Sequence, residues 1–433
     1  MIERTVEKLE AWSWDAAVIG LGYVGLPLVV TMARAGINVT GFDVDPKVID
    51  ALSSGRSHVD DVTAEDLAEV SERARFTTDP KALAEPDVLF ICVPTPLAVG
   101  KQPDVSFITD ASETITRELR AGHVVILEST TYPGTTESTV LPILEGSGLA
   151  IDRDFLLAYS PERVDPGNAS FRTSNIPRVV GGASEASTKA AELVYRRFVS
   201  KVHPVPNART AEMAKLLENT FRWVNIALVN ELSFVARAIG VNIWDVIEAA
   251  ATKPFGFMPF YPGPGVGGHC IPLDPFYLQW AARVTGEGTR FIELAEWVNS
   301  RMPQVVVARV QDALNESGKA LRGSKVLVLG VAFKPNVRDY RESPALECIR
   351  GLMAGGAEVS YADPHVPVIT EHGIDMTAGA LTPQSMSAAD CVLILTDHDA
   401  VDYASVAQHA GLVIDTRNAL GRRGLTGQNV RLM

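Results

Sequence analysis

Cysteine is scarce in this chain, with four among 433 residues: Cys92, Cys270, Cys348 and Cys391. So few, widely spaced cysteines cannot form a disulfide framework, and their spacing matches no zinc ribbon or zinc finger. We therefore expect no metal site and a reducing, cytoplasmic location.

Basic residues are also outnumbered by acidic ones, with 39 Lys and Arg against 52 Asp and Glu and a formal net charge of −13. Since no long basic run occurs, we expect neither nucleic acid nor an anionic membrane surface as partner.

Long hydrophobic runs are rare too, and only one needs a decision. Residues 16–33 are uncharged for 18 residues, which reaches the lower limit for a membrane span. The run contains Gly20, Gly22, Gly25 and Pro27, and it divides into a strand, a glycine turn and a helix. The residues before it are too acidic for a secretory signal. We therefore interpret the run as part of a folded domain and expect no membrane partner.

The order of apolar patterns predicts three segments. The first alternates short apolar runs with helix-like stretches, which is typical of a parallel sheet covered by helices. In the second, Ala211–Ile239 keeps apolar residues at helical spacing without Pro or Gly, so it forms one long helix or two closely joined ones. The third repeats part of the first. Each contains a strand, a loop, a helix and a second strand that ends at an aspartate, Asp43 in the first segment and Asp363 in the third. We predict an α/β fold in which two Rossmann-like parallel-sheet domains are joined by a central helical segment.

The predicted domain limits are residues 1–205, 206–305 and 306–433. In the first domain the apolar runs predict five strands, Ala16–Ile19, Asn38–Asp43, Val88–Val93, Val124–Glu128 and Leu156–Tyr159. The helical patterns predict Leu26–Ala35, Lys47–Ser53, Ala64–Val70 and Ile108–Leu119. The third domain is predicted to contain strands at Lys325–Leu329, Val392–Thr396 and Leu412–Asp415.

A glycine motif, Gly20-Leu21-Gly22-Tyr23-Val24-Gly25, follows the first predicted strand and opens a helix. Its first glycine allows a tight turn, the second lets a pyrophosphate approach the backbone, and the third lets the helix pack on the strand. The helix N-terminus then receives the phosphates. Asp43 ends the next strand, where a carboxylate suits a free ribose hydroxyl and repels a 2′-phosphate. The motif therefore predicts NAD instead of NADP, and the alternative is a glycine turn without a ligand.

Two hydroxyl-rich loops, Val93–Pro96 and Ser129–Gly134, directly follow predicted strands. We expect them at the carboxyl edge of the sheet, where ligands bind in open α/β folds. Thr95 and Thr130 are therefore candidates for contact with the cofactor. Ordinary turn chemistry explains either loop equally well.

The sharpest chemical signal is Gly267-Gly268-His269-Cys270-Ile271-Pro272-Leu273-Asp274-Pro275. The glycines leave space for a bulky ligand beside the sulfur, and Asp274 could act as a base or position a water. A cysteine near a nicotinamide can attack an aldehyde, and the thiohemiacetal can lose a hydride to give a thioester. The alternative is a small buried hydrophobic residue, the usual place of a lone cysteine. The dinucleotide motif favours Cys270 as the nucleophile; we interpret His269 as structural and the other cysteines as core residues.

Lys215 and Asn219 lie one turn apart on the predicted long helix. A lysine beside Leu216 and Leu217 is more often a surface residue whose apolar stem packs while its ammonium reaches water. The functional alternative is a cation and an amide that stabilise one oxyanion. Spacing alone does not choose between them.

Together these motifs resemble the UDP-glucose/GDP-mannose dehydrogenase family, whose members oxidise the C6 alcohol of a nucleotide sugar to a carboxylate. The resemblance runs from Gly20 to Arg417. Four segments are most similar to the UDP-N-acetylglucosamine 6-dehydrogenase branch: Leu127–Glu137, Ser160–Asn168, Glu218–Leu232 and Lys253–Leu278. The resemblance implies an NAD-binding first domain, a central domain for dimerisation and the active site, and a UDP-sugar-binding third domain. It also implies a homodimer or larger homo-oligomer.

The resemblance further implies roles for individual residues. Cys270 would be the thiol nucleophile, Asp274 would assist proton transfer, and Glu162 would serve thioester hydrolysis. Lys215 and Asn219 would bind the substrate and stabilise its alkoxide and later oxyanions. The cofactor-binding positions would be Gly20, Gly22, Tyr23, Val24, Gly25, Asp43, Thr95, Thr130 and Arg341. The other substrate-binding positions would be Tyr261, Gly265, Lys334 and Arg417.

Two departures from the family pattern concern the substrate and hydrolysis. Some relatives place an arginine from a neighbouring subunit on the substrate near the position of Lys253, where this chain has Lys253-Pro254. The glucose-type relatives carry a second glutamate shortly after Ser-Pro-Glu, where this chain has Pro166. The hydrolysis machinery is therefore expected to differ in detail.

The implied reaction is a four-electron oxidation in which Cys270 carries first a thiohemiacetal and then a thioester. UDP-N-acetylglucosamine, giving the corresponding uronate, is the expected substrate, with UDP-N-acetylmannosamine and UDP-glucose as alternatives. A second hypothesis is a two-electron alcohol dehydrogenase in which Lys215 is the acid/base and Cys270 is structural. A third is a non-catalytic protein that binds a nucleotide sugar or senses redox state.

Overall fold

The computed structural model describes residues 2–98, 100–164, 173–268, 270–371 and 373–433. The interpretation of His269 and the departure at Pro166 lie outside these described residues. The chain divides into two compact units. The first contains Met1–Glu218 and Phe276–Gly288, and the second contains Asn219–Pro275 and Thr289–Met433.

The first unit is built on a mostly parallel sheet. Its strands are β1 (Ala16–Ile19), β2 (Val39–Phe42), β3 (Ala74–Thr77), β4 (Val88–Ile91), β5 (Leu97–Ala98), β6 (Gln102–Pro103), β7 (Val124–Leu127), β8 (Leu156–Tyr159), β9 (Arg178–Gly182) and β10 (Val202–Pro204). Eight of them form one sheet in the order β10-β9-β8-β7-β4-β1-β2-β3, and β5 and β6 form a separate hairpin. Among the described strands of the large sheet, β8 and β9 are the one pair that runs antiparallel. The carboxyl ends of β1, β4, β7 and β8 therefore meet at one edge.

Helices cover both faces of this sheet. They are α1 (Ile2–Glu10), α2 (Gly25–Arg34), α3 (Pro46–Ser53), α4 (Ala64–Val70), α5 (Ser106–Glu118), α6 (Leu141–Glu145) and α7 (Glu185–Arg196). Successive strand residues point to opposite faces, so Val18 and Phe90 belong to one hydrophobic core and Ile19 and Leu89 to another. Burial on both faces explains why the central strands are apolar throughout.

The central region is helical. It contains α8 (Ala208–Ala238), α9 (Ile243–Ala251), α10 (Asp274–Val284) and α11 (Arg290–Glu316). α8 is one continuous helix of 31 residues, which decides between the two forms predicted for this stretch. The Pro- and Gly-rich residues between α9 and α10 form no further strand within their described part.

A second parallel sheet lies in the second unit. Its strands are β11 (Lys325–Leu329), β12 (Glu358–Ala362), β13 (Val368–Ile369), β14 (Met376–Thr377), β15 (Cys391–Ile394), β16 (Val413–Asp415) and β17 (Val430–Leu432). Five form a sheet in the order β12-β11-β15-β16-β17, all pairs parallel, and β13 and β14 form an antiparallel pair. The helices are α12 (Pro344–Ala354), α13 (Pro383–Ala388) and α14 (Tyr403–His409).

The internal repeat found in the sequence is confirmed in atomic detail. The glycine after the first strand of each sheet has positive φ, +90° at Gly20 and +78° at Gly330. The Leu21 N–H donates to Asp43 Oδ2 at 2.9 Å, and the Val331 N–H donates to Asp363 Oδ2 at 2.7 Å. In both sheets, therefore, an aspartate at the end of the second strand holds the loop after the first.

The described ranges contain neither a metal-binding cluster nor a helix that could span a membrane. No group of three or more His, Cys, Asp or Glu side chains there is placed to hold a metal ion. No described helix has both the length and the apolar character needed to cross a bilayer. The uncharged run 16–33 instead forms β1, the glycine loop and most of α2.

Candidate functional site

The glycine loop of the first unit has the geometry that its three glycines predict. A Cβ added to Gly20 would lie 2.6 Å from the Cys92 carbonyl oxygen, and one added to Gly25 would lie 1.9 Å from the Gly20 carbonyl oxygen. Gly20 therefore allows the turn, and Gly25 allows α2 to pack beside it. A Cβ on Gly22 would meet no atom within 4 Å, so this backbone is open to a ligand.

The start of α2 and Asp43 complete a site that fits NAD. Val24 is the N-cap residue of α2 and makes no side-chain capping bond. The Leu26 N–H donates to the Gly22 carbonyl oxygen and Pro27 has no N–H, so the first turn of α2 leaves the Gly25 N–H for a pyrophosphate. Tyr23 is exposed beside them. Asp43 accepts hydrogen bonds from the Leu21 N–H and, at 3.0 Å, from the Asp45 N–H. These bonds fix its carboxylate at the place where a ribose hydroxyl is bound in dinucleotide folds.

Replacing Asp43 by asparagine removes the charge while the side-chain oxygen can still accept the Leu21 hydrogen bond. We expect NAD to bind about tenfold more weakly, since one charge-assisted hydrogen bond is lost, and the preference over NADP to narrow. Binding titrations with both dinucleotides measure this. Asp45→Asn, at the exposed N-cap of α3, is the control and should bind both as the unchanged chain does. An unaltered NAD/NADP ratio in Asp43→Asn would remove Asp43 from the ribose site.

The loops after β4 and β7 lie at the same sheet edge as the glycine loop. Ser129 Oγ donates to the Val93 carbonyl oxygen at 2.8 Å, which joins the two loops. Tyr277 of α10 donates its hydroxyl to the Thr95 carbonyl oxygen at 2.5 Å. Thr130 is partly exposed in the second loop. Both predicted threonines are thus placed where a cofactor at this edge would pass.

Lys215 and Glu162 meet in the first unit. The Lys215 ammonium donates to the Glu162 carbonyl oxygen at 2.8 Å, and the lysine is only 7% exposed. The interpretation of Lys215 as a surface residue is therefore wrong. The Glu162 carboxylate accepts hydrogen bonds from the N–H groups of Arg163 and Val164, at 2.6 and 2.7 Å, and from Arg178 at 2.8 Å.

Sequence reasoning missed Glu212, which lies on the same face of α8 as Lys215. It is fully buried and accepts hydrogen bonds from the N–H groups of Gly134 and Thr136 and from the Thr136 hydroxyl. Burial raises the pKa of its carboxyl. Glu212 thereby holds the loop that contains Thr130. The spacing of residues 212, 215 and 219 could have revealed it, because these positions share one helix face.

In the second unit, Cys270 lies one turn before α10. Its carbonyl oxygen accepts the Asp274 N–H at 2.8 Å, and the residue is exposed, whereas Cys92, Cys348 and Cys391 are buried. This contradicts the alternative that Cys270 is a core residue. Asp274 is the first residue of α10 and accepts a hydrogen bond from the Asn219 amide at 2.5 Å, with both side chains buried. The predicted carboxylate and amide are therefore joined.

The glycines before Cys270 serve a different purpose from the one predicted. A Cβ on Gly267 would lie 2.7 Å from the Glu342 carbonyl oxygen and 2.8 Å from Pro344, and one on Gly268 would lie 3.0 Å from the Phe333 ring. The space is thus filled by protein, and the prediction that it is left for a ligand is wrong for both residues. Glycine is required there because the loop packs against the segment 333–344.

A buried amide pair, also missed from the sequence, holds the same loop. Asn230 Oδ1 accepts the Gly263 N–H at 3.0 Å, and its amide group donates to Asn299 Oδ1 at 3.0 Å. Asn299 in turn donates to the Trp223 carbonyl oxygen. The two asparagines lie 69 residues apart in the chain, so no local pattern could have paired them.

The other predicted substrate-binding residues, Tyr261, Gly265, Lys334 and Arg417, fall in the second unit. Tyr261 stacks on Trp244 and donates its hydroxyl to Glu248 at 2.8 Å. The Lys334 ammonium lies 5.6 Å from the centre of the Phe333 ring. Gly265 has a φ of +131°, and a Cβ there would lie 2.9 Å from Pro344.

Two arginines of this unit differ in their partners. Arg341, predicted to bind the cofactor, is exposed and pairs with Asp339 at 2.8 Å. Arg417 donates to the Leu395 carbonyl oxygen and approaches Gly263, where a Cβ would lie 2.5 Å from its guanidinium. Burial and then the nearby Arg422 lower the pKa of Arg417 to about 10. A guanidinium withdrawn from water beside a second cation is suited to hold an anion.

Three family models match the chain in succession. The model for the UDP-glucose/GDP-mannose dehydrogenase family, NAD binding domain, matches residues 15–199. The model for the central domain of this family matches residues 209–301, and the model for its UDP binding domain matches residues 327–422.

Relatives are similar along nearly their whole length. A UDP-N-acetyl-D-glucosamine 6-dehydrogenase from Pseudomonas aeruginosa is 38% identical over 387 residues, 88% of this chain and 90% of that protein. A UDP-N-acetyl-D-mannosamine dehydrogenase from Pyrococcus horikoshii is 36% identical over 412 residues, 93% and 95% of the two chains. A solved structure of the UDP-D-ManNAc dehydrogenase from Pyrococcus horikoshii has a TM-score of 0.86 at 35% identity and covers 96% of this chain and 98% of that one.

Proposed function

We propose that this chain oxidises the C6 alcohol of a UDP-sugar to a carboxylate through a thioester on Cys270. The proposal starts from its family: the chain belongs to the UDP-glucose/GDP-mannose dehydrogenase family and is an NAD-dependent nucleotide-sugar dehydrogenase. UDP-N-acetylglucosamine is the proposed substrate, giving UDP-N-acetylglucosaminuronate. Similarity alone does not choose the sugar, since relatives named for N-acetylglucosamine and N-acetylmannosamine are 38% and 36% identical. UDP-N-acetylmannosamine and UDP-glucose are the alternatives.

The observation that carries this proposal is the contrast between Cys270 and the other cysteines. Cys270 is exposed beside a buried Asn219–Asp274 pair, whereas the other three cysteines are buried among apolar side chains. Burying a carboxylate and an amide costs free energy that a purely structural helix start does not require. Such a pair beside an accessible thiol supports covalent catalysis.

The first oxidation requires that negative charge on the C6 oxygen be stabilised. We assign this role to the Lys215 ammonium and to the Asn219 amide, which donates one N–H to Asp274 and has a second to offer. Asp274 accepts the proton that leaves the alcohol or the thiol. NAD supplies the hydride acceptor for both oxidation steps.

Cys270 then retains the aldehyde. Its sulfur forms a bond to C6, giving a thiohemiacetal whose oxygen is again held by Lys215 and Asn219. After the second oxidation the product is a thioester. Water attacks the thioester carbonyl, its proton passes to Glu162, and the C–S bond breaks to release the carboxylic acid and the Cys270 thiolate. One thiol thus allows a four-electron oxidation without release of the aldehyde.

The stoichiometry of the reaction tests the proposal. NADH formed per sugar consumed should be two, with one of UDP-N-acetylglucosamine, UDP-N-acetylmannosamine and UDP-glucose clearly preferred when each is offered separately. One NADH per sugar would contradict the thioester mechanism and favour a simple alcohol dehydrogenase. Binding without turnover would favour a non-catalytic nucleotide-sugar protein.

Arg417 is proposed to hold the diphosphate of the substrate together with Lys334. We expect Arg417→Ala to raise the KM for the UDP-sugar about 10- to 100-fold with little change in kcat, because a charge-assisted contact of the bound nucleotide is lost. Steady-state kinetics at saturating NAD measure this. Arg350→Ala removes an exposed arginine paired with Glu347 on α12 and should leave KM unchanged. An unchanged KM in Arg417→Ala would mean that Arg417 does not contact the nucleotide.

We further propose that a second copy of this chain covers the apolar surface of the second unit. Leu228, Leu232 and Val235 on α8 and Phe291 and Trp297 on α11 are all more than 40% exposed, so both helices present apolar surface to water. A homodimer would bury this apolar surface.

The thiol chemistry of Cys270 also requires reducing conditions, so we place the protein in the cytoplasm.

A further inference from the structure

A buried ionic cluster in the first unit has no role in the reaction as proposed above. Glu128 follows β7, Arg178 begins β9 and Tyr195 lies on α7; each is at most 1% exposed. The Tyr195 hydroxyl donates to Glu128 Oε1 at 2.5 Å. Arg178 Nη2 donates both to Glu128 Oε2, at 3.2 Å, and to Glu162 Oε2, at 2.8 Å. One guanidinium nitrogen therefore serves two carboxylates.

The charges in this cluster do not balance when both carboxylates are ionised. Two negative charges then face one positive charge where little water reaches. Burial raises the pKa of Glu128 to about 7. The positive charge of Arg178 lowers this pKa, and the negative charge of Glu162 raises it further. The other titratable groups facing Glu128 are the Tyr195 hydroxyl and the Cys92 thiol, and burial raises the pKa of both. Within this cluster, Glu128 is thus the carboxyl whose pKa burial brings near neutrality.

We infer that Glu128 is a positioning residue that sets how tightly Arg178 holds the Glu162 carboxylate, because one guanidinium nitrogen contacts both carboxylates. When Glu128 is ionised it competes for the guanidinium, so Arg178 holds the Glu162 carboxylate less tightly and leaves it available to the attacking water. When Glu128 is protonated, Arg178 pairs with the Glu162 carboxylate alone and holds it away from the attacking water. This inference rests on the proposed function, because it assigns Glu162 to thioester hydrolysis.

The surrounding bonds confine the effect to Glu162. Arg178 Nη1 donates to the Pro161 carbonyl oxygen at 2.7 Å, and the N–H groups of Arg163 and Val164 hold the other oxygen of Glu162. The loop therefore stays fixed while the charge on Glu128 changes. Replacing Arg178 would instead release the Glu162 carbonyl group on which Lys215 is anchored, so variants of Glu128 and Tyr195 give the cleaner test.

Glu128→Gln keeps the shape of the side chain and removes its titration. Hydrolysis of the Cys270 thioester is the step to follow, by intact-protein mass spectrometry after rapid mixing with NAD and UDP-sugar. In the unchanged enzyme we expect the hydrolysis rate to rise with pH through an ionisation near neutrality. In Glu128→Gln that ionisation should disappear, and hydrolysis above neutral pH should slow about tenfold, as expected for a weakened general base.

Tyr195→Phe provides an independent arm with a different signature. It removes the hydroxyl that stabilises the Glu128 carboxylate, so the ionisation should remain but move to higher pH. Asp87→Asn is the control. Asp87 is also a buried carboxylate paired with an arginine, Arg120, but it precedes β4 at the opposite edge of the sheet, and its variant should keep the original pH profile.

Each outcome decides a different question. Two NADH per sugar with an unaltered pH profile in Glu128→Gln would overturn the inference and leave the proposed function intact. If no thioester forms in the unchanged enzyme, the proposed function fails and the inference with it. If Glu128→Gln does not fold, as judged by thermal unfolding, Tyr195→Phe decides: an upward shift supports the inference, and an unmoved profile overturns it.

Discussion

Cys270→Ser is expected to abolish formation of the sugar acid while leaving NAD binding unchanged. A serine hydroxyl is a far weaker nucleophile than a thiolate, and the alkoxide leaving group that hydrolysis would require is much more basic than a thiolate. Loss of the nucleophile typically lowers turnover on the order of a thousandfold or more. The measurement is acid product and NADH per sugar, with NAD affinity determined by titration. Full production of the sugar acid by this variant would contradict the thioester mechanism.

Cys391→Ala is the matched control for this substitution. Cys391 begins β15, is fully buried and lies far in the chain from the Asn219–Asp274 pair. Its loss should lower the free energy of unfolding by about 1–2 kcal/mol, since a small cavity is left in the core, with turnover unaltered. A comparable loss of activity in both variants would mean that any cysteine substitution disturbs the fold. The Cys270 result would then carry no information about mechanism.

The parts of the fold that the sequence predicted are those in which a local pattern has one structural solution. All five strands and four helices predicted for the first domain form, with ends within two residues. The strands that were missed lack a continuous apolar run: β3 is partly exposed along its length, and β9 starts with Arg178 and ends in two glycines. The three predicted domain limits stay predictions.

The candidate site shows the same division. The glycine loop and Asp43 were predictable because the spacing of the three glycines and of the aspartate at the end of the next strand is a recurrent sequence pattern, and the positive φ of Gly20 shows the turn that this pattern requires. The pairing of Glu128 with Arg178 was not, because the two residues lie 50 positions apart and no local pattern connects the end of β7 with the start of β9. The roles assigned to Cys270 and Lys215 stay predictions that only kinetics can test.

Lys215→Met is expected to separate stability from activity. The lysine is buried, its ammonium donates to a single carbonyl oxygen, and it forms no ion pair with any described residue. A buried cation without a carboxylate partner costs free energy. Methionine has nearly the same length and no charge. We therefore expect the free energy of unfolding to stay the same or rise.

Turnover in the same variant should fall on the order of 10²- to 10³-fold, the usual cost of removing one group that stabilises a developing oxyanion. Chemical unfolding and single-turnover kinetics on one preparation measure both effects, with the exposed Lys189→Met of α7 as a control that should change neither. A large loss of stability with unaltered turnover would make Lys215 a structural anchor for the Glu162 loop. We expect retained stability with lost turnover. Lys215 is buried without a carboxylate partner among the described residues, and the negative charge that balances its ammonium would come from the oxyanion of the reacting substrate.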